Sequence, residues 1–337
     1  MKHNTIMKYN TILLPLFVCA SLASSITAAQ SSAKADAAYP TKPVRVIVAY
    51  SPGGGIDIVT RSVSQKLSEV FRQPVTVENR PGANGMVGAQ SVARSAPDGH
   101  TLVVLDRGAL TINPSLYKEI SYDPLRDFAY TGVVAELPYV LTINGNLPIK
   151  TLQEFVNFAK TKPGVLNYAT FGAGSLIHLN FEQLNASYGI SLTHVPYKGS
   201  AQAANAVVSG DVGVFMSSYA AVASFLRDGR LRALAVGRPN RLPGLQDVPT
   251  MVELGGSNDI LKPGYFTFAA PAGTPRAVIM RLNSEITRAL DTPDLEKHLS
   301  AAGMEPRSGT PEEFADGVRR EIASFRKLVQ AAGIPQL

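Results

Sequence analysis

Tryptophan is absent from the 337 residues, and cysteine occurs once, as Cys19. A lone cysteine excludes an intrachain disulfide framework and any cysteine-built zinc site. Charge is scarce as well: Asp, Glu, Lys and Arg make up 17% of the chain, against 45% hydrophobic residues. That balance supplies an ample core and excludes a disordered chain. The 32 Lys and Arg exceed the 26 Asp and Glu, for a formal net charge of +6. The excess suits an anionic ligand, but it is spread too evenly for nucleic acid, which calls for clustered basic stripes. Enzyme signatures are missing too. There is no G-x-x-x-x-G-K-[ST] phosphate loop and no G-x-S-x-G nucleophile elbow. Gly82-Ala83-Asn84-Gly85-Met86-Val87-Gly88 is not the dinucleotide fingerprint. His100, His178, His194 and His298 form no H-x-x-x-H pair, and His178 with Glu182 reads as a surface or cap contact rather than a metal site. No cofactor is expected.

The first thirty residues carry a targeting pattern. Lys2 and Lys8 precede an apolar run, Ile12 to Ile26, which ends in the small residues Thr27-Ala28-Ala29. A basic start, a short apolar core and a small-residue site make a secretory signal, expected over residues 1–29. The run is short of the roughly 20 residues a spanning helix needs, and nothing after residue 30 reaches that length. The mature protein is therefore expected to be exported and soluble, in a bacterium periplasmic. Cys19 leaves with the signal, which suits an oxidising compartment.

The rest alternates. Val44–Tyr50 is a β-branched run, and Ile56, Val59, Val63, Leu67 and Val70 recur at helical spacing after it. Val75–Glu78 and Thr101–Leu105 read as further strands, with a helix between them. Residues 106–138 read as irregular, broken at Asn113-Pro114 and Tyr122-Asp123-Pro124. Strands are then expected at 139–143, 165–171, 192–195, 212–216, 231–236 and 265–269. Helices are expected at 151–160, 175–187, 201–209, 219–227, 275–291, 293–301 and 311–331. Thr151 followed by Glu154 is a capping box. Strands alternating with helices imply α/β architecture with parallel sheets.

Two glycine-rich turns stand at strand ends. Ser51-Pro52-Gly53-Gly54-Gly55-Ile56-Asp57 follows the first strand and opens a helix. Bare backbone N–H groups and a helix N-terminus there suit a carboxylate or phosphate; a tight turn that binds nothing is the alternative. Thr170-Phe171-Gly172-Ala173-Gly174-Ser175 repeats the arrangement in the second half, with Ser175 a natural N-cap. Ligands of open α/β sheets lie beyond the carboxyl ends of strands. Two such turns suit a ligand held between two lobes, with a carboxylate at each end.

At these residues the chain resembles the Bug family of extracytoplasmic solute receptors, the binding proteins of tripartite tricarboxylate transporters. The matching stretches run in order through the mature chain. They include Pro52–Asp57, Val77-Glu78-Asn79-Arg80-Pro81-Gly82-Ala83, Pro97-Asp98-Gly99-His100-Thr101-Leu102, Gly172-Ala173-Gly174-Ser175 with His178, His194-Val195-Pro196-Tyr197-Lys198-Gly199 and Ala270-Pro271-Ala272-Gly273-Thr274-Pro275. The resemblance implies a type II periplasmic-binding-protein fold: two α/β lobes joined by two crossover strands, with the ligand cleft between them. It divides the chain into domain 1, residues 39–140 plus 267–337, and domain 2, residues 141–266.

The same resemblance implies a small organic acid as ligand, a di- or tricarboxylate, aliphatic or aromatic. It also implies a monomer without catalysis that delivers this acid to the membrane permease subunits. A receptor presenting the ligand to a membrane sensor kinase, or a periplasmic enzyme, is the alternative. The implied ligand-binding residues are Ser51, Pro52, Gly53, Gly54, Gly55, Asp57, Thr170, Phe171, Gly172, Ala173, Gly174, Ser175, His178, Tyr197, Lys198 and Gly199. Two departures from the family pattern join them. Ser217 stands where the family often has Asp, which argues against an amino-acid ligand. Arg107 follows the strand 101–105, where small polar residues are usual. It suits a ligand carboxylate, a salt bridge to Asp106 or a solvated surface position.

Overall fold

The computed structural model describes residues 1, 39–170, 172–197, 200–257 and 259–336. Apart from Met1, the expected signal segment lies outside the described residues, as do Phe171, Lys198 and Gly199. The chain divides into two units, Met1–Thr41 and Lys42–Leu337. The architecture that follows belongs to the second.

β1 (Val44–Val48) buries all but Arg45, as a β-branched run does when both sheet faces are covered. α1 (Gly55–Phe71) sets Ile56, Val59, Val63 and Leu67 inward. Val70, expected in that stripe, is exposed, and Phe71 closes it instead. β2 (Val75–Asn79), α2 (Met86–Ala93) and β3 (Thr101–Asp106) follow. A wide helical turn, Gly108–Ile112, runs into α3 (Asn113–Leu116), whose Pro114 sits in the first turn, where its missing N–H costs nothing.

β4 (Phe128–Leu137) corrects the reading of 106–138 as irregular. Its alternation is broken by Gly132 at φ +100° and by register shifts against the neighbouring strand, so no period of two shows in the sequence. β5 (Tyr139–Asn144) begins after Pro138 alone.

The second series is α4 (Leu152–Thr161), β6 (Asn167–Thr170), α5 (Leu176–Tyr188), β7 (Thr193–Pro196), α6 (Ser200–Ser209), β8 (Val214–Ser218), α7 (Tyr219–Arg227) and β9 (Leu231–Val236). Thr151 caps α4 by accepting from the Glu154 N–H. The Glu154 carboxylate reaches the Lys150 N–H at 2.6 Å rather than that of Thr151, so the expected box closes one residue early. β10 (Gly264–Pro271), α8 (Arg276–Leu290), α9 (Pro293–Ala301), β11 (Glu305–Pro306) and α10 (Pro311–Ala331) complete the chain, with Thr310 and Glu313 forming a full capping box at α10.

The strands form two sheets, ordered β11-β4-β10-β3-β1-β2 and β7-β6-β8-β5-β9. The expected parallel pairing holds for β1 with β2 and β3, and for β6 with β7 and β8. It fails for β10, which runs antiparallel to β3 and β4, and for β5, antiparallel to β8 and β9. These are the strands that carry the chain between sheets, and they enter from the opposite end. Each sheet is covered by helices over its own apolar core, one around Ile47, Val103 and Leu105, the other around Leu141, Phe155 and Tyr168.

α2 lies so close to β1 that a Cβ on Gly88 would stand 2.8 Å from both Cα and Cβ of Ala49. Gly88→Val should therefore cost about 2 kcal/mol, the ordinary penalty of overpacking. It would be read as a lower urea midpoint; an unchanged midpoint would mean that this helix–strand approach is not tight.

Candidate functional site

The first glycine turn is held from behind by a buried carboxylate. Asp57 accepts from the Gly53 N–H (3.0 Å), from Arg61 Nε (3.0 Å) and from Asn79 Nδ2 (2.9 Å), and the same Asn79 nitrogen donates to the Tyr50 carbonyl. Burial alone would raise the Asp57 pKa, but these donors outweigh it and hold the carboxyl below its ordinary value. Asp57 thus shapes the turn from behind the cavity lining. No side chain caps α1 at Gly54, so its first N–H groups remain for another acceptor.

The second turn is braced by two imidazoles. The Gly174 N–H donates to His178 Nδ1 (3.0 Å), and Ser175 Oγ accepts from the His178 N–H. Thr170 Oγ1 accepts from the Gly172 N–H and lies 2.6 Å from His194 Nε2. The rings of His178 and His194 stack at 4.0 Å, with Tyr168 stacked 5.1 Å beyond His194. Glu182 Oε1 lies 3.9 Å from His178 Nε2, which makes this pair a contact along one helix, as its spacing suggested. Gly174 has φ +73°, and any Cβ there would overlap Leu116 of the first lobe.

A third wall comes from the end of β3. Asp106 is half-buried and accepts from the Tyr50 hydroxyl (2.8 Å) and the Ala109 N–H (2.8 Å). Burial pushes its carboxyl above the usual carboxylate range, while these donors and the Gly108 N–H favour the ionised form. Arg107 is 6% exposed. Its Nη1 pairs with Glu321 of α10 at 2.9 Å, and its guanidinium lies 4.4 Å over the Tyr265 ring. The salt bridge to Asp106 weighed from the sequence is not formed, because Asp106 is turned to Tyr50 and the following backbone. Arg107 Nε has no partner among the described residues.

These three walls enclose a cavity of about 440 Å³. Of the residues singled out from the sequence, Ser51, Gly54, Gly55, Arg107, Gly174 and Ser175 line it. Pro52 and Gly53 are exposed on the outside of their turn, and Gly172 and Ala173 lie in theirs without reaching the lining. Asp57, Thr170 and His178 stand behind the turns. Tyr197 is half-buried against the Ala169–Phe215 cluster, and Ser217 is buried in β8 opposite Val140; neither lines the cavity. The sequence reading passed over Tyr50, Asn84 and Asp106, and the apolar walls Ile56, Phe266 and Ile177. Asp106 carried a usable signal, since it ends β3 just as Ser51 follows β1.

Two α/β lobes meeting over a cavity walled by turns at strand ends define a two-lobed solute-binding protein. The chain belongs to the tripartite tricarboxylate transporter receptor family, whose pattern matches residues 59–334. The family is one of periplasmic solute receptors. Three solved structures are similar over nearly their whole length. R. palustris Rpa4515 with adipate is 32% identical, with TM-score 0.76, 89% of this chain covered and 100% of that one. MatC from Rhodopseudomonas palustris with bound malate is 31% identical, with TM-score 0.71 and coverages of 86% and 100%. The periplasmic binding protein BugD is 29% identical, with TM-score 0.72 and coverages of 89% and 100%. The Bug-family resemblance and the type II periplasmic-binding-protein fold read from the sequence are thus borne out. Among the described residues no helix is long and apolar enough to cross a membrane.

The imidazole brace sets a pH dependence. Burial lowers the pKa of His178, and burial followed by repulsion from His178 lowers that of His194 to about 4. In the unfolded chain both titrate near 6.5. Between those values the unfolded chain binds more protons, so stability present above about pH 6.5 is lost as pH falls toward 4. Urea midpoints at pH 7.5, 6.0 and 5.0 should decline in step, and His194→Gln should flatten the decline. An equal slope in both proteins would show that the pair is not held neutral.

Proposed function

We propose that this chain is an exported periplasmic receptor that captures a small organic carboxylate, aliphatic or aromatic, and delivers it to the permease of a tripartite tricarboxylate transporter. One observation carries the reading: the starts of α1 and α5, from different lobes, open on a single cavity. Helix starts present unpaired N–H groups and partial positive charge, which a carboxylate satisfies without any side-chain cation. The family match and the carboxylates named in two similar structures support it.

In this reading residues 1–29 are removed, and the mature chain works as a monomer. Residues 39–140 plus 267–337 close against residues 141–266 as two bodies. In the second turn the Thr170 hydroxyl lies 2.6 Å from His194 Nε2, but it is fully buried and off the cavity lining, and in this reading the site releases its ligand unchanged.

The test is a thermal-shift panel of mono-, di- and tricarboxylates with their amides and methyl esters. At least one class of acid should raise Tm, as any ligand of the folded state does, and its amides and esters should not. Gly54→Val, whose Cβ meets no atom within 4 Å, should fold normally and bind the active acid at least tenfold more weakly. Stabilisation by neutral sugars but by no acid would refute the reading.

A further inference from the structure

The second glycine turn meets the first lobe at one side chain. A Cβ on Gly174 would overlap Leu116 Cδ2 and stand 2.8 Å from its Cδ1, so the isobutyl group lies directly on the glycine backbone. Gly174 lines the cavity, whereas Leu116 is 2% exposed and does not. Neither partner has room to retreat. Leu116 sits in a buried cluster with Ile112, Leu179, Phe325 and Val329, and a close-packed interior leaves no void for a displaced side chain. Its helix, α3, is tied to the first lobe by Asn113, which accepts from Asn84 Nδ2 (2.6 Å) and donates to the Asn84 carbonyl (3.0 Å). On the other side the Gly174 N–H is held by His178 Nδ1 at 3.0 Å, and Ser175 caps α5 directly after it. The contact therefore joins two fixed backbones. Each carries part of the cavity wall, Asn84 on one side and Gly174 with Ser175 on the other.

We infer that Leu116 is a positioning residue for the ligand: it is the stop against which the second turn comes to rest, and it sets how far the start of α5 stands from the start of α1. The inference rests on the carboxylate reading above, in which both helix starts reach one ligand, and it names what fixes the span between them. Apolar carbons rest about 3.5–4.0 Å apart, so a side chain at position 174 must part the two by about 1 Å. With both backbones held, the lobes move instead. An added gap of about 1 Å takes an N–H···O contact from about 2.9 Å to a distance at which it is no longer a bond. A ligand then keeps one helix start and loses the other.

The experiment is calorimetry with adipate, malate and benzoate, extended to the wider panel of acids if none of the three binds; the acid that binds wild-type protein most tightly is the probe. It is titrated into Gly174→Ala, Leu116→Ala, the double variant and Gly189→Ala. Gly189 ends α5 at φ +61° with nothing within 4 Å of its Cβ position, so its alanine carries the strain of a left-handed backbone without a clash. Gly174→Ala should weaken binding at least tenfold, and Gly189→Ala should leave it within twofold. Leu116→Ala removes the atoms that the new Cβ would meet, so the double variant should bind at least fivefold more tightly than Gly174→Ala. Two merely structural losses would add, whereas a shared contact gives this rescue. Gly174→Ala binding like wild type overturns the inference, as does a double variant that binds no better than Gly174→Ala. If Leu116→Ala does not fold, the two glycine variants decide, and an equal loss in both overturns it. Each of these failures leaves the carboxylate reading standing, whereas binding of no acid in the wider panel removes both.

Discussion

Only Pro138 separates β4 from β5, so two strands of different sheets are nearly one ribbon. The placement of the site depends on that continuity. A residue at the point where the chain leaves one ladder and enters another has no partner for its N–H, and proline has none to lose. β10 then returns from the second lobe and enters the first sheet between β4 and β3. Because both crossings lie beside each other, the carboxyl ends of β1, β3 and β6 open toward the same space. Leu137, Tyr139, Gly264 and Phe266, all on the crossing strands, line the cavity between them.

The polar groups nearest the turns do their work from behind. Asp57 with Asn79 and Arg61 fixes the first turn, and His178 with His194 and Thr170 fixes the second. In both cases a loop amide that water would otherwise bind is answered by a side chain on the far side. The helix starts are thereby held in position before a ligand arrives, and a preorganised site loses less on binding than one that must order itself. The two braces differ in chemistry. A carboxylate ringed by donors is indifferent to pH above its depressed pKa, whereas a neutral imidazole that accepts an N–H cannot do so once protonated.

Most of the fold was legible because its signals are local. The β-branched run of β1, the helical stripe of α1 and the caps of α4 and α5 are each written within one element. β4 was not legible, since its bulged pairing and Gly132 at positive φ depend on β10, more than a hundred residues away. The site divides in the same way. Both glycine turns were visible from composition and position. Which of their residues face inward was not, because Asp57 and His178 have the residue types of ligand contacts but are turned to their own loops. Asp106 and Arg107 were conspicuous as a pair, yet each finds its partner far along the chain, Tyr50 and Glu321. The apolar lining carries no motif and emerges only when five separate segments are brought together.

The lobes also touch away from the cavity, and this bears on what a ligand must supply. Leu116 and Phe325 of the first lobe share one buried apolar cluster with Leu179 of the second. Arg238, just past β9, pairs with Glu305 of β11, and the Lys262 ammonium lies 5.2 Å over the Phe325 ring. Separating the lobes would expose two or three large side chains, at about 1.5–3 kcal/mol for each one fully uncovered. The ion pair adds only about 0–1 kcal/mol where solvent reaches it. Against this stands the hydration that an open cleft regains for its polar walls. The balance without ligand is therefore a few kcal/mol either way, less than the roughly 8 kcal/mol of a micromolar ligand. A ligand that touches both helix starts binds the closed arrangement only, so its whole differential affinity falls on that equilibrium. A compound reaching one turn alone would bind both arrangements alike and shift nothing.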